Sequence, residues 1–194
     1  MRDLILTERV GSVAVVTLNR PERHNSLVPA LLAALHDALT AIHADPSVRV
    51  VLLRANGRSF STGGDAQGFV DHADKIAAYS REIVGLLNQV ILALIDLPAP
   101  VIAAVHGIVT GGSLGLILGA DIVLVAPAAS FTPYYSVVGP SPDGGWTALL
   151  PELIGRRRTA AVLFGNETIT AETAVAWGLA NRLIESGNVD QSFI

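Results

Sequence analysis

The chain has 194 residues, 51% of them hydrophobic and 15% charged, with 13 Lys+Arg against 17 Asp+Glu and no cysteine. A single core at this length buries about 70% of the surface that the unfolded chain exposes, so residues 1–194 are expected to form one domain without a metal or disulfide staple. The missing cysteines exclude thiolate nucleophiles, Cys-ligated zinc and iron–sulfur clusters and fit a cytoplasmic protein, while the net charge of −4 argues against nucleic acid or an anionic membrane as a partner.

The first eight residues hold a charge pair and no apolar run of signal-peptide length, which reads against secretion. Val13 to Leu18 is rich in β-branched residues and predicts a strand that ends in the turn Asn19-Arg20-Pro21. Leu31, Leu32, Leu35, Leu39 and Ile42 recur at helical spacing, so a helix with one buried face is expected from Pro29 to Ala44. Val48 to Leu53 predicts a second strand, followed by a turn-rich stretch from Ala55 to Asp65. Ile76 to Ile95 predicts a long helix ended by Pro98 and Pro100, and Val101 to Val105 a third strand. Gly111-Gly112 opens a short apolar helix to Gly119, and Asp121 to Val125 predicts a fourth strand. A Gly/Pro-rich loop covers Gly139 to Gly145, and helices are predicted at Arg156 to Phe164 and at Ala171 to Trp177, the latter capped by Thr170 and stopped by Gly178. The stretch from Leu97 to Ala120 lacks Asp, Glu, Lys and Arg and is long enough to span a bilayer, but its prolines and glycines divide it into a buried strand and a buried helix. Apolar strands alternating with helices indicate an α/β domain whose strands are covered on both faces, with no membrane as partner.

Two loops place glycines where a strand gives way to a helix: Thr62-Gly63-Gly64-Asp65 and His106 to Gly112. The first N–H groups of a helix lack internal acceptors, so such loops either bind a developing oxyanion or are turns that need positive φ. Gly111-Gly112-Ser113-Leu114-Gly115 matches G-x-S-x-G, yet all five histidines precede Ser113, which contradicts the order of a serine hydrolase triad. Neither glycine cluster spells G-x-G-x-x-G, no G-K-[ST] or H-E-x-x-H occurs, and neither a metal nor a separate cofactor is expected. Asp143, in Pro142-Asp143-Gly144-Gly145, is either a turn former or a carboxylate held over an apolar pocket and suited to proton transfer.

Taken in order, Leu18-Asn19-Arg20-Pro21, Asn25-Ser26-Leu27, Phe60 to Asp65, Ala104 to Gly107, Gly111-Gly112, Ala120 to Val123 and Ala174 to Ala180 resemble the crotonase, or enoyl-CoA hydratase/isomerase, superfamily. The resemblance implies a spiral of β-β-α units, a homotrimer or hexamer, and an acyl-CoA thioester as substrate, with coenzyme A part of that substrate. It implies that the N–H groups of Gly64 and Gly112 hold the thioester oxygen, and that His24, Ser26, Thr62, Asp65, Ala66 and Tyr135 contact the substrate. Family hydratases carry two glutamates at positions that are Gly115 and Tyr135 here, whereas one subset places an aspartate eight residues beyond the second, where Asp143 falls. The surrounding Gly139 to Trp146 is similar to the ring-oxepin and double-bond isomerases of phenylacetyl-CoA breakdown. The implied activity is therefore an acyl-CoA isomerase with Asp143 as proton carrier; a hydratase, an aryl-CoA dehalogenase-like hydrolase and a non-catalytic acyl-CoA binder stand as alternatives. Members of the superfamily continue past the equivalent of Trp177-Gly178-Leu179 with several helices, most of which are expected to be lacking in a chain that ends at Ile194.

Overall fold

Runs of β-branched and small apolar residues bury well in parallel strands, and four such runs form the centre of the molecule in the computed structural model, which describes residues 3–184. Strands β2 (Val13–Leu18), β3 (Val50–Ala55), β5 (Val101–Val105) and β7 (Ile122–Val125) are parallel neighbours in a six-stranded sheet. Its edges are β1 (Ile5–Val10), antiparallel to β2, and β10 (Arg182–Leu183), parallel to β7. A second sheet has the order β4 (Ser59–Ser61), β6 (Ile108–Thr110), β8 (Ser130–Thr132) and β9 (Ile169–Thr170), the first three parallel and the last antiparallel.

The chain leaves the large sheet through β3, β5 or β7, enters the small one at once through β4, β6 or β8, and returns through helical segments. That repeat is a spiral of β-β-α turns. Helix α1 (Pro29–His43) buries Leu31, Leu32, Leu35, Leu39 and Ile42 as its periodicity predicts. It packs against α3 (Ile76–Ile95), which buries Tyr79, Ile83, Leu87, Val90, Ile91 and Leu94. Both helices share one core with the small sheet's Phe60, Val109 and Phe131. The opposite face of the large sheet carries a smaller cluster of Val15, Leu52 and Ala104, drawn among the described residues from strands alone, so the cover expected on both faces is unequal.

The predicted strand at Val48 to Leu53 begins two residues later, because Val48 N–H donates to Asp45 O in the preceding turn. The uncharged stretch from Leu97 to Ala120 is broken into β5, β6, a 3₁₀ turn over Gly111–Leu114 and the short α4 (Gly115–Leu118). By length and composition Ala73–Ile95 alone among the described residues could cross a membrane, and its apolar stripe packs into the core. The remaining helices are α2 (Ala66–Asp71), α5 (Tyr135–Val138), α6 (Leu150–Ile154), α7 (Arg156–Gly165) and α8 (Ala171–Trp177).

Candidate active site

Parallel pairing of β4 with β6, with Ser61 opposite Val109, ends two strands side by side and so brings the two glycine loops together. Ser113 Oγ joins them, donating to Ser61 O at 2.9 Å and to Thr110 O at 2.6 Å. Gly63 has φ +74°, and a Cβ there would lie 2.7 Å from Thr110 O, so both the turn and the close approach require glycine. Leu27 N–H donates to Gly63 O at 2.7 Å and Asp65 N–H to Leu27 O at 3.0 Å, which leaves the Gly64 N–H outside this short ladder. Gly112 is the second residue of its 3₁₀ turn, where an N–H has no acceptor within the helix. Two backbone donors thus sit on adjacent loops, each where a helix begins.

The side chains around them are shown by what a Cβ would meet. At Gly64 it would be 2.8 Å from the Phe69 ring, and at Gly112 it would be 2.7 Å from Asp143 Oδ1 and 2.8 Å from Leu87 Cδ2. The carboxyl group of Asp143 therefore lies over Gly112. It is carried there by the loop 139–145, in which Gly144, at φ +55°, packs its Cα against the Gly112 carbonyl. Trp146, fully buried, fixes the same loop by donating its indole N–H to Gly111 O at 2.8 Å. The Tyr135 hydroxyl donates to Asp143 Oδ1 at 2.5 Å. Burial pushes the Asp143 carboxyl up, against the pull of the Tyr135 donation and its own backbone. Burial, the Asp143 charge and the hydrogen bond to it drive the Tyr135 phenol far above its usual range, so it remains a donor at every working pH.

Gly115, predicted as a missing glutamate, is closed to any side chain: its Cβ would collide with Ile91 and lie 2.8 Å from Gly144 O.

The other predicted residues gather on the far rim of the Gly64 loop. His24, at φ 53°, accepts Thr62 N–H through its carbonyl at 3.2 Å. Asp65 is 3% exposed and caps α2 by accepting the N–H groups of Gln67 and Gly68. It also takes Arg20 at 2.6 Å, Arg23 at 3.2 Å and Ser26 Oγ at 3.0 Å. Ser26 and Asp65 are thus committed to a buried network, while Ala66 is exposed at the start of α2. Burial is the largest influence on Asp65 and raises it, but the donors Arg20, Ser26, Gly68 N–H and Arg23 together hold it well below the carboxylate range. A carboxyl depressed in the folded state contributes stability above its unfolded pKa and loses it as pH falls through the folded one. Asp65→Ala is expected to cost about 3 kcal/mol at pH 7, and denaturant unfolding should show that difference shrinking below about pH 4. Beside this network a cleft of about 410 Å³ is lined by Arg20, Arg23, His72, Tyr79 and Glu82 among others, and neither donor glycine nor Asp143 reaches it.

Sequence reasoning missed Phe69, Leu87, Trp146 and Arg20. For Arg20 and Asp65 a signal existed, since Asp65 before a helical run is an N-cap pattern that calls for nearby donors. Nothing in the helical periodicity separates Leu87 from the other buried residues of α3.

The family model described as Enoyl-CoA hydratase/isomerase matches residues 8–194. The 1,2-epoxyphenylacetyl-CoA isomerase of Escherichia coli is 36% identical over 187 residues, which cover 95% of this chain and 71% of that protein. A 4-chlorobenzoyl coenzyme A dehalogenase of an Arthrobacter species is 30% identical, with 95% of this chain and 67% of its own length covered. The crystal structure of an enoyl-CoA hydratase of Mycobacterium smegmatis superposes with a TM-score of 0.90 at 33% identity, covering 97% of this chain and 73% of that one.

Proposed function

The chain belongs to the enoyl-CoA hydratase/isomerase family, and from that premise we propose that it is an acyl-CoA isomerase that moves a double bond by a proton shuttle on Asp143. The observation that carries this reading is a half-buried carboxyl lying over Gly112, beside two backbone donors, with no second acid at positions 115 and 135. In a 3-enoyl thioester, Asp143 removes a proton from C2 and the electron pair passes to the thioester oxygen. The N–H groups of Gly64 and Gly112 stabilise the resulting dienolate oxygen, each well-placed donor being worth about 10² to 10³ in rate. The protonated Asp143 then returns its proton to C4, the carbonyl re-forms and the double bond lies between C2 and C3. One carboxyl group visiting two carbons suffices for this shift, whereas hydration needs one group to activate water and usually another to deliver a proton. Phe69 beside Gly64 and Leu87 beside Gly112 supply an apolar wall that keeps water from the dienolate, and burial raises the basicity of Asp143.

The test is to offer the protein trans-3-hexenoyl-CoA and crotonyl-CoA. Isomerisation of the first with little hydration of the second is the expected result; efficient hydration of crotonyl-CoA without isomerisation overturns the reading. Gly115→Glu, which installs the glutamate found in family hydratases, is expected to gain no hydration. Its side chain must displace the Gly144 carbonyl and with it Asp143, so isomerisation should fall by at least about tenfold.

A further inference from the structure

Tyr135 occupies a position that the proton shuttle leaves without a task, and the chain is bent at some cost to put it there. Tyr134, immediately before it, is in the left-handed region at φ 59°, and its N–H donates to the side chain of Asn166, itself at φ 51°, at 2.8 Å. Two non-glycine residues in that region, tied to each other, are the sort of backbone strain that persists where the surrounding structure enforces it. The effect is to turn Tyr135 inward, where it is buried while Tyr134 is exposed. Its ring meets Trp146 edge-on, with centroids 6.2 Å apart at 82°, and Trp146 is held in turn by Gly111 O. The phenol ends on Asp143 Oδ1. The contacts therefore close a circuit from the Gly111-Gly112 turn through Trp146 and Tyr135 to Asp143 and back to Gly112.

We infer that Tyr135 is the positioning residue of the proton carrier: its hydroxyl clamps one oxygen of Asp143 above Gly112 and leaves the other to exchange protons with the substrate. The inference rests on Asp143 being that carrier. The second oxygen of Asp143 takes no donor from another side chain among the described residues. A phenol suits the task because it donates strongly to a carboxylate yet does not itself give up its proton in the working range. Among the described residues no other side chain competes for control of the carboxyl group. The Gly111–Leu114 turn and α4 present glycine, serine and aliphatic residues, and α3 presents Leu87 and Ile91. Among the described residues Tyr135 is the one titratable group that influences Asp143. A donor to the ionised form lowers the pKa of a carboxyl group, so removing it raises an Asp143 that burial has already raised. The acid limb of kcat/KM, which reports the base of the free enzyme, then moves to higher pH.

Two substitutions bracket the effect. Tyr135→Phe keeps the ring and removes the donor; 3,5-difluorotyrosine placed at 135 keeps the shape and strengthens the donor. The readouts are the pH profile of trans-3-hexenoyl-CoA isomerisation and, without substrate, the infrared carboxyl band that Asp143→Asn abolishes. Tyr135→Phe is expected to raise the Asp143 midpoint by about one to two pH units, the worth of one charge-assisted hydrogen bond. It should also lower kcat more than it changes KM. The fluorinated residue is expected to lower the midpoint. Midpoints that both replacements leave within about 0.3 unit of wild type overturn the positioning role, whatever the turnover. Full activity of Asp143→Asn overturns the carrier reading instead, and the two failures are separate. If the phenylalanine variant does not fold, the fluorinated one still decides, since it changes two hydrogens and no packing partner.

Discussion

Asp143→Asn is expected to lower isomerisation of trans-3-hexenoyl-CoA by about 10² to 10⁴ while leaving CoA-thioester affinity within about threefold. The amide keeps the shape of the carboxyl group, and its oxygen still accepts the Tyr135 hydroxyl, so the loop 139–145 keeps its anchor on the Gly111 turn. What is lost is the capacity to take a proton from one carbon and return it to another. Stability should move the other way. Burial raises the Asp143 carboxyl, so its contribution to folding is fully present below the unfolded carboxylate pKa and is lost as pH rises through the folded one. Above that folded pKa the ionised side chain is a cost of the site, and there the neutral amide should be no less stable than wild type by denaturant unfolding. A variant that is both inactive and destabilised would instead mark Asp143 as a structural turn former.

Much of this arrangement could be read from the chain because periodicity and glycine spacing are local signals. The repeat of Leu31, Leu35 and Leu39 defines a helix face whatever packs on it, and the β-branched run at Val13 to Leu18 needs no partner to be recognised. The small sheet was not legible. Its strands β4, β6 and β8 have three residues each, too few to show an alternation, and they exist because each runs directly out of a long strand into a parallel neighbour. The site divides in the same way. Gly64, Gly112 and Asp143 stand out locally only as loop and turn residues, and the resemblance alone joins them into one site; the fold gathers them through the β4–β6 pairing and the Gly144 contact. Gly115 was visible only as an absent glutamate. Its positive reason, room for the Gly144 carbonyl, is a contact between segments about thirty residues apart, which no local pattern records. Asp65 divides likewise: its place before a helical run marks an N-cap, but Arg20, Arg23 and Ser26, whose donors make it a buried ion-pair hub, lie about forty residues earlier in the chain.

The donor role is best tested at Gly64. At Gly112 any side chain would strike Asp143 Oδ1 and Leu87 at once, so a proline there removes the N–H and displaces the proton carrier together. Gly64 is separable. It is exposed, its φ is not in the left-handed region, and its N–H is the one the Leu27 bridge does not use. Gly64→Pro therefore deletes a single donor, and Gly64→Ala, which keeps it, reports the cost of the added Cβ against the Phe69 ring tip, a side chain able to shift. The proline variant is expected to lose about 10² to 10³ in kcat with a smaller change in KM, because the donor strengthens its bond as charge gathers on the oxygen. The alanine variant should stay within about tenfold of wild type. Donor and carrier serve the same proton abstraction, so adding Asp143→Asn to Gly64→Pro should cost less than the product of the two single losses. Proline at 64 with turnover within about threefold of wild type would place the thioester oxygen elsewhere, and independent, multiplicative losses would separate the oxyanion step from the proton transfer.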